Sequence, residues 1–207
     1  ADAAVSSHGF YPTLGAFYRH ANDYTVGSGN RLPYSQLSKV NAFANLGVRL
    51  AKAGVVEGTL IFDRATNVGY PALNMDVAKA EAIITSLSHR HLFANSPMLD
   101  AWETKAYYNH ITHAMDDTHR PSVAIHMDMP GKSQTAGLYS LLTGSLSSHE
   151  WQANYDLYYN RLFADMTMYP GGAAPMYMVT WPDVGTLNTG LSLTDNVRLS
   201  TSHWLRL

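Results

Sequence analysis

Ser35-Gln36-Leu37-Ser38-Lys39-Val40-Asn41-Ala42-Phe43-Ala44-Asn45-Leu46-Gly47-Val48-Arg49-Leu50-Ala51-Lys52-Ala53-Gly54 is the stretch on which the fold turns. Leu37, Val40, Phe43, Leu46, Leu50 and Ala53 recur every three or four residues, a spacing that lays one apolar stripe along a helix. Ser35 stands where a hydroxyl accepts from the free N–H groups of a first turn, and Gly54 stops the pattern. The spacing predicts a helix.

Working outward toward the C-terminus, Thr59 to Phe62 is a short apolar run, read as a strand or buried connector. A second helix is expected from Asp76 to Phe93, with Val77, Ala80, Ile84, Leu87 and His91 on one face. Ser96-Pro97 marks the start of a third, reaching Met115 or Asp116. Pro121 and Pro130 then bracket Val123 to Met129, whose alternation predicts a half-buried strand. A shorter fourth helix is expected from Ser133 to Leu142. A fifth starts at Ser147, with Glu150 completing a capping box and Trp151, Tyr155, Tyr158, Leu162 and Met166 along one face. Pro170-Gly171-Gly172 ends it.

Both ends read differently. Gly9, Pro12, Gly15, Gly27, Gly29 and Pro33 break up the first 34 residues, although aromatic side chains recur through them. After Tyr169, a strand is expected near Met176 to Trp181. A hairpin is expected to pair Leu191 to Thr194 with Val197 to Ser200 around Asp195-Asn196. The fold class that follows is mainly α, with about five helices, short β or irregular segments and extended N- and C-terminal arms. An α+β arrangement is the alternative. One domain is expected: an irregular arm over 1–34, a helical core over 35–168 and a β or irregular arm over 169–207.

Charged residues make up 14% of the chain, against about 25% in typical soluble domains. With 13 Tyr, 4 Trp and 9 Met, the composition suits a surface covered by partners, since interfaces shed Lys and Glu and gather aromatic residues and Met. The net charge of −2 and the absence of any basic run argue against tight binding of free nucleic acid, although enclosed nucleic acid fits. No run of about 18 apolar residues is present, so no membrane helix is expected, and no membrane partner. The cysteine-free sequence excludes disulfides and thiolate metal sites.

His110, His113 and Asp117 form the best cluster of chemical groups. On a helix, spacings of three and four bring them to one face. Imidazoles and a carboxylate suit a divalent metal, and His119 or His126 would complete the set. Leu99, Trp102 and Ala106 share that face, which equally describes a buried stripe. His89-Arg90-His91 is explained as cations at a helix C-terminus. Gly131-Lys132-Ser133 resembles the end of a phosphate-binding loop, but His126 stands where the loop needs glycine. Gly27-Ser28-Gly29 lacks the third glycine of a dinucleotide site. No serine elbow or cysteine nucleophile is present.

Two functional readings follow. The first is a structural, self-assembling subunit of a coat, capsid-type shell or filament. It would be a large homo-oligomer without cofactor, held by an arm carrying Tyr169, Trp181, Leu191, Leu193, Val197, Leu199 and Trp204. The second is a metal-dependent enzyme or small-ligand protein using His110, His113 and Asp117. With no catalytic motif present, the weight falls against an enzyme.

Overall fold

The computed structural model describes residues 2–4, 9–50 and 54–207, with backbone alone for 2–4. It contains ten strands: β1 (Asp2–Ala4), β2 (Phe10–Ala21), β3 (Leu37–Leu50), β4 (Gly54–Val68), β5 (Asp76–Leu92), β6 (Ala101–Asp116), β7 (Ile125–Leu146), β8 (His149–Pro170), β9 (Met176–Arg198) and β10 (Trp204–Arg206). They form one sheet in sequence order, each strand antiparallel to its neighbours. No helix occurs among the described residues. The mainly α expectation is overturned, and so is the α+β alternative.

The opening stretch shows why. In a strand, side chains alternate between faces, so the relevant period is two. Val40, Ala42, Ala44, Leu46, Val48 and Leu50 fall on one face of β3. Lys39, Asn41, Asn45 and Arg49 fall on the other. Phe43 is the exception that imitates a helical repeat: an aromatic ring on the polar face, lying over Gly15 directly across in β2. Of the residues that suggested a helical stripe, Val40, Leu46 and Leu50 share a face, Leu37 and Phe43 oppose them, and Ala53 lies outside the described residues. The other expected helices are likewise strands β5 to β8.

The expected arms are also part of the sheet. Residues 10–21 are β2, and Pro170-Gly171-Gly172 stands at a hairpin loop between β8 and β9. The strand expected near Met176 lies at the start of β9. The hairpin expected around Asp195-Asn196 is absent, because β9 runs straight through to Arg198. Ser147, expected to cap a helix, takes a positive φ of 56° in the two-residue turn joining β7 to β8, as such hairpin turns require.

Among the described residues, no second layer covers the sheet. Val77 is the only buried hydrophobic residue among those described, while Leu191 and Leu193 are 73% and 72% exposed. Connections 22–36, 69–75, 117–124 and 171–175 lie at one end of the strands, called here the long-loop end. The turn 147–148 and the connections 93–100 and 199–203 lie at the other, the short-turn end.

Candidate functional site

The register sorts the strands' side chains into two unlike faces. On the apolar face, β3 contributes Val40 to Leu50, and β4 contributes Val56, Leu60 and Phe62. β5 adds Ile83 and Leu87, and β7 adds Ala136, Leu138 and Leu142. β8 adds Ala153, Tyr155, Leu157 and Tyr159, and β9 adds Leu187, Leu191 and Leu193. No Asp, Glu, Lys or Arg interrupts these runs. Along β3 the run covers ten residue steps from Val40 to Leu50. At about 3.3 Å per step and a tilt near 40°, it stands roughly 25 Å tall.

Charge and aromatic groups border this band. Toward the long-loop end come Arg64, Lys79, Glu81, Lys132 and Arg161. Toward the short-turn end, His89 and His91 stack at 6.3 Å, and His89 meets Trp102 edge-on at 5.7 Å.

The opposite face is polar. Near the short-turn end, Tyr11 Oη donates to Glu57 Oε1 at 3.2 Å and Tyr139 Oη donates to Glu103 Oε1 at 2.9 Å. Further along, Lys39 pairs with Asp63 at 2.8 Å. Asn160 Nδ2 donates to Thr135 Oγ1 at 2.8 Å and Ser133 Oγ at 3.0 Å. Glycine lets rings lie flat here: a Cβ on Gly137 would stand 2.3 Å from the Tyr107 ring across the strand pair.

The same face changes character toward the long-loop end. Met115 pairs with Met129 across β6 and β7, and Met127 with Met168 across β7 and β8. Met166 pairs with Met178, and Met168 with Met176, across β8 and β9. Seven of the chain's nine methionines therefore share one end of one face on four adjacent strands. His113 joins Met115 and Met129 in lining a shallow depression of about 160 Å³ closed by Trp181. Among the described residues, no three His, Cys, Asp or Glu side chains group to hold a metal ion. Thioethers dominate the donor set, and the His113 imidazole, the Thr180 hydroxyl and the Asp165 carboxylate also line the depression.

A rigid rim stands above. Among the described residues, Asp76, Asp117 and Arg120 are the buried polar ones. Arg120 Nε donates to Asp76 Oδ2 at 3.1 Å, its Nη2 donates to Asp76 Oδ1 and to the Tyr70 carbonyl, and its guanidinium lies 3.6 Å from the Tyr34 ring centroid. One arginine thus joins the connections 22–36, 69–75 and 117–124. Gly69 permits their approach, since a Cβ there would fall 2.2 Å from the Tyr34 carbonyl oxygen.

The cluster expected on a helix is dispersed. Three steps along β6 place His110 and His113 on opposite faces, His110 with the apolar band and His113 with the methionines. Asp117 belongs to the rim, where His126 Nδ1 lies 2.8 Å from its Oδ1 and the Met127 N–H donates to its Oδ2 at 3.0 Å. Of the residues expected in an assembly arm, Leu191, Leu193 and Val197 lie on the apolar face of β9, Tyr169 on β8, Trp181 on β9 beside the methionines, and Trp204 on β10. Leu199 follows β9 in the connection to β10. Sequence reasoning missed the methionine array, although the alternation of Met127 with Met129 and of Met166 with Met168 was its visible signal.

No protein-family model matches this sequence, and no curated protein is significantly similar to it. A solved structure does match in fold. The chain resembles the copper transporter OprC. The TM-score is 0.83 at 20% sequence identity, over 96% of this chain and 32% of that protein. At that identity the likeness shows the fold alone, and the chain spans about a third of the transporter's length. The expectation of a coat, capsid or filament subunit is overturned. Its expected arms are strands of a continuous sheet, and a solved structure similar in fold is that of a copper transporter.

Proposed function

We propose that this chain forms part of the wall of an outer-membrane-type β-barrel that binds and passes a soft metal ion, with Cu(I) the best fit. The observation that carries the reading is the pairing of an uncharged band on one face with a methionine array on the other. A soluble sheet buries its apolar face against a second layer. Here that face has no cover in the chain, and its height matches the lipid-facing band of membrane barrels. Alternation of apolar and polar residues along every long strand is the pattern such barrels require, apolar toward lipid and polar toward the lumen. The earlier expectation of no membrane partner rested on the lack of an apolar helix, and no helix here can cross a membrane. That criterion does not reach strands, which satisfy their backbone groups with one another.

The metal follows from donor chemistry. Thioethers are soft ligands that favour Cu(I) over hard or borderline divalent ions, and a neighbour in fold is a copper transporter. Met115, Met129, Met166 and Met178 would offer exchangeable sites along the lumen, with His113 beside them. The test is a Cu(I) titration of the detergent-solubilised protein against a chromogenic chelator. The variant replaces those four methionines with leucine, which conserves volume. Its affinity should fall by at least about tenfold, a loss typical even for outer-shell partners of metal ligands. Equal affinity in variant and wild type would sink the assignment.

A further inference from the structure

Just beyond the apolar band, toward the long-loop end, cations gather on the outward face. The register sets Arg64, Glu81, Thr112, Lys132 and Phe163 in one row across β4 to β8. Lys79 lies one step above that row and Arg161 one step below. Most of this charge is committed: Glu81 lies 3.3 Å from Lys79 and 3.9 Å from Arg64, and Asp183 holds Arg161 with both carboxylate oxygens. Lys132 makes no ion pair among the described residues. It borders two adjoining depressions, one shared with Lys79, Thr112 and Phe163, the other with Gln134 and Arg161. The one carboxylate in the first depression, Asp165, accepts from Tyr177 Oη at 3.4 Å.

Four cations thus face three carboxylates, and the surplus is the unpaired Lys132. Hydroxyl and amide donors flank it, and Ile83, Leu138 and Tyr159 lie below it on the same face. We propose that this outward row binds the phosphate-bearing head group of an outer-leaflet lipid. Lys132 and Lys79 meet the phosphate, Thr112 and Gln134 donate to its oxygens, and the acyl chains run down the apolar face. A phosphate supplies the anionic partner that Lys132 lacks among the described residues, and lysine near an anionic head-group layer gains from its field. The inference rests on the membrane reading above.

The experiment places the protein in nanodiscs of phosphatidylcholine doped with lipid A or with dephosphorylated lipid A, and counts retained lipid by native mass spectrometry. Wild type should prefer lipid A. Lys132→Gln should lower that preference roughly fivefold, and Lys79→Gln/Lys132→Gln by the same factor again. Lys132→Arg should retain it. Free inorganic phosphate at millimolar concentration should not displace the lipid, because the acyl chains contribute to binding. Equal retention of both lipids by wild type, an unaffected double variant, or displacement by phosphate alone would overturn the lipid site while leaving the membrane reading intact. Failure of the wild type to enter bilayers at all, read by vesicle flotation, would overturn both.

Discussion

At the residue scale, the least replaceable side chain is Arg120. Its guanidinium is buried against the carboxylate of Asp76, with the Tyr34 ring on its face and the Tyr70 carbonyl at its edge. Removing one partner of a buried pair strands the other charge away from water, at a cost of about 3–5 kcal/mol. Arg120→Ala and Asp76→Ala should therefore each loosen the rim, and the double variant should lose less than the sum of the two. Hydrogen exchange at the Gly69 amide, which bonds to the Gln36 carbonyl at 2.9 Å, reads the effect directly. Unchanged protection there in Arg120→Ala would show that the three connections hold together without the arginine. None of this was legible beforehand. Asp76 was expected to start a helix, and its meeting with Arg120 depends on the pairing of β5 with β6, which sets Asp76 opposite Asp116.

At the scale of the element, β9 gives the sharpest contrast between faces. Leu191 and Ser192 are neighbours in sequence, but one belongs to the apolar band and the other to the polar face. In a bilayer, Leu191→Arg should destabilise the folded protein by about 2–4 kcal/mol, whereas Ser192→Arg should change little. Denaturant unfolding in lipid vesicles measures both. Similar costs at the two positions would mean that β9 does not separate lipid from lumen. The strands were partly visible in the sequence. The runs at Val123 and Met176, expected as strands, and the run at Thr59, expected as a strand or buried connector, lie wholly or mainly within β7, β9 and β4. The long strands were hidden by aromatic residues on the polar face, such as Phe43, Tyr107 and Tyr158, which fill gaps in the period of two and imitate a period near 3.6.

At the scale of the whole molecule, the sheet is open. Among the described residues, β1 pairs with β2 and β10 with β9 and not with one another, so unpaired edges accompany an uncovered apolar face. Exposed edges and large apolar patches both drive association. In aqueous buffer this chain alone should aggregate, and detergent above its critical micelle concentration should disperse it with strand content retained. Light scattering and circular dichroism check this. A monodisperse monomer without detergent would contradict the membrane reading. The low charge and the abundance of Tyr, Trp and Met suit a surface covered by partners. In the reading proposed here the cover is lipid, where protein partners had been expected.

What the sequence by itself determined is composition and local alternation: few charges, no thiols, methionines spaced two apart, and apolar residues alternating with polar ones along β3, β8 and β9. Those patterns fix which residues share a face once the backbone is extended. The extended backbone itself, and the register that carries Met115 to Met129 and Met166 to Met178, came only from the tertiary structure. The physical reason is that a strand has no hydrogen bonds of its own. A helix closes its ladder locally, so its signal lies in consecutive residues. A strand's donors and acceptors find partners one hairpin away, and the choice between the two is made by the whole sheet.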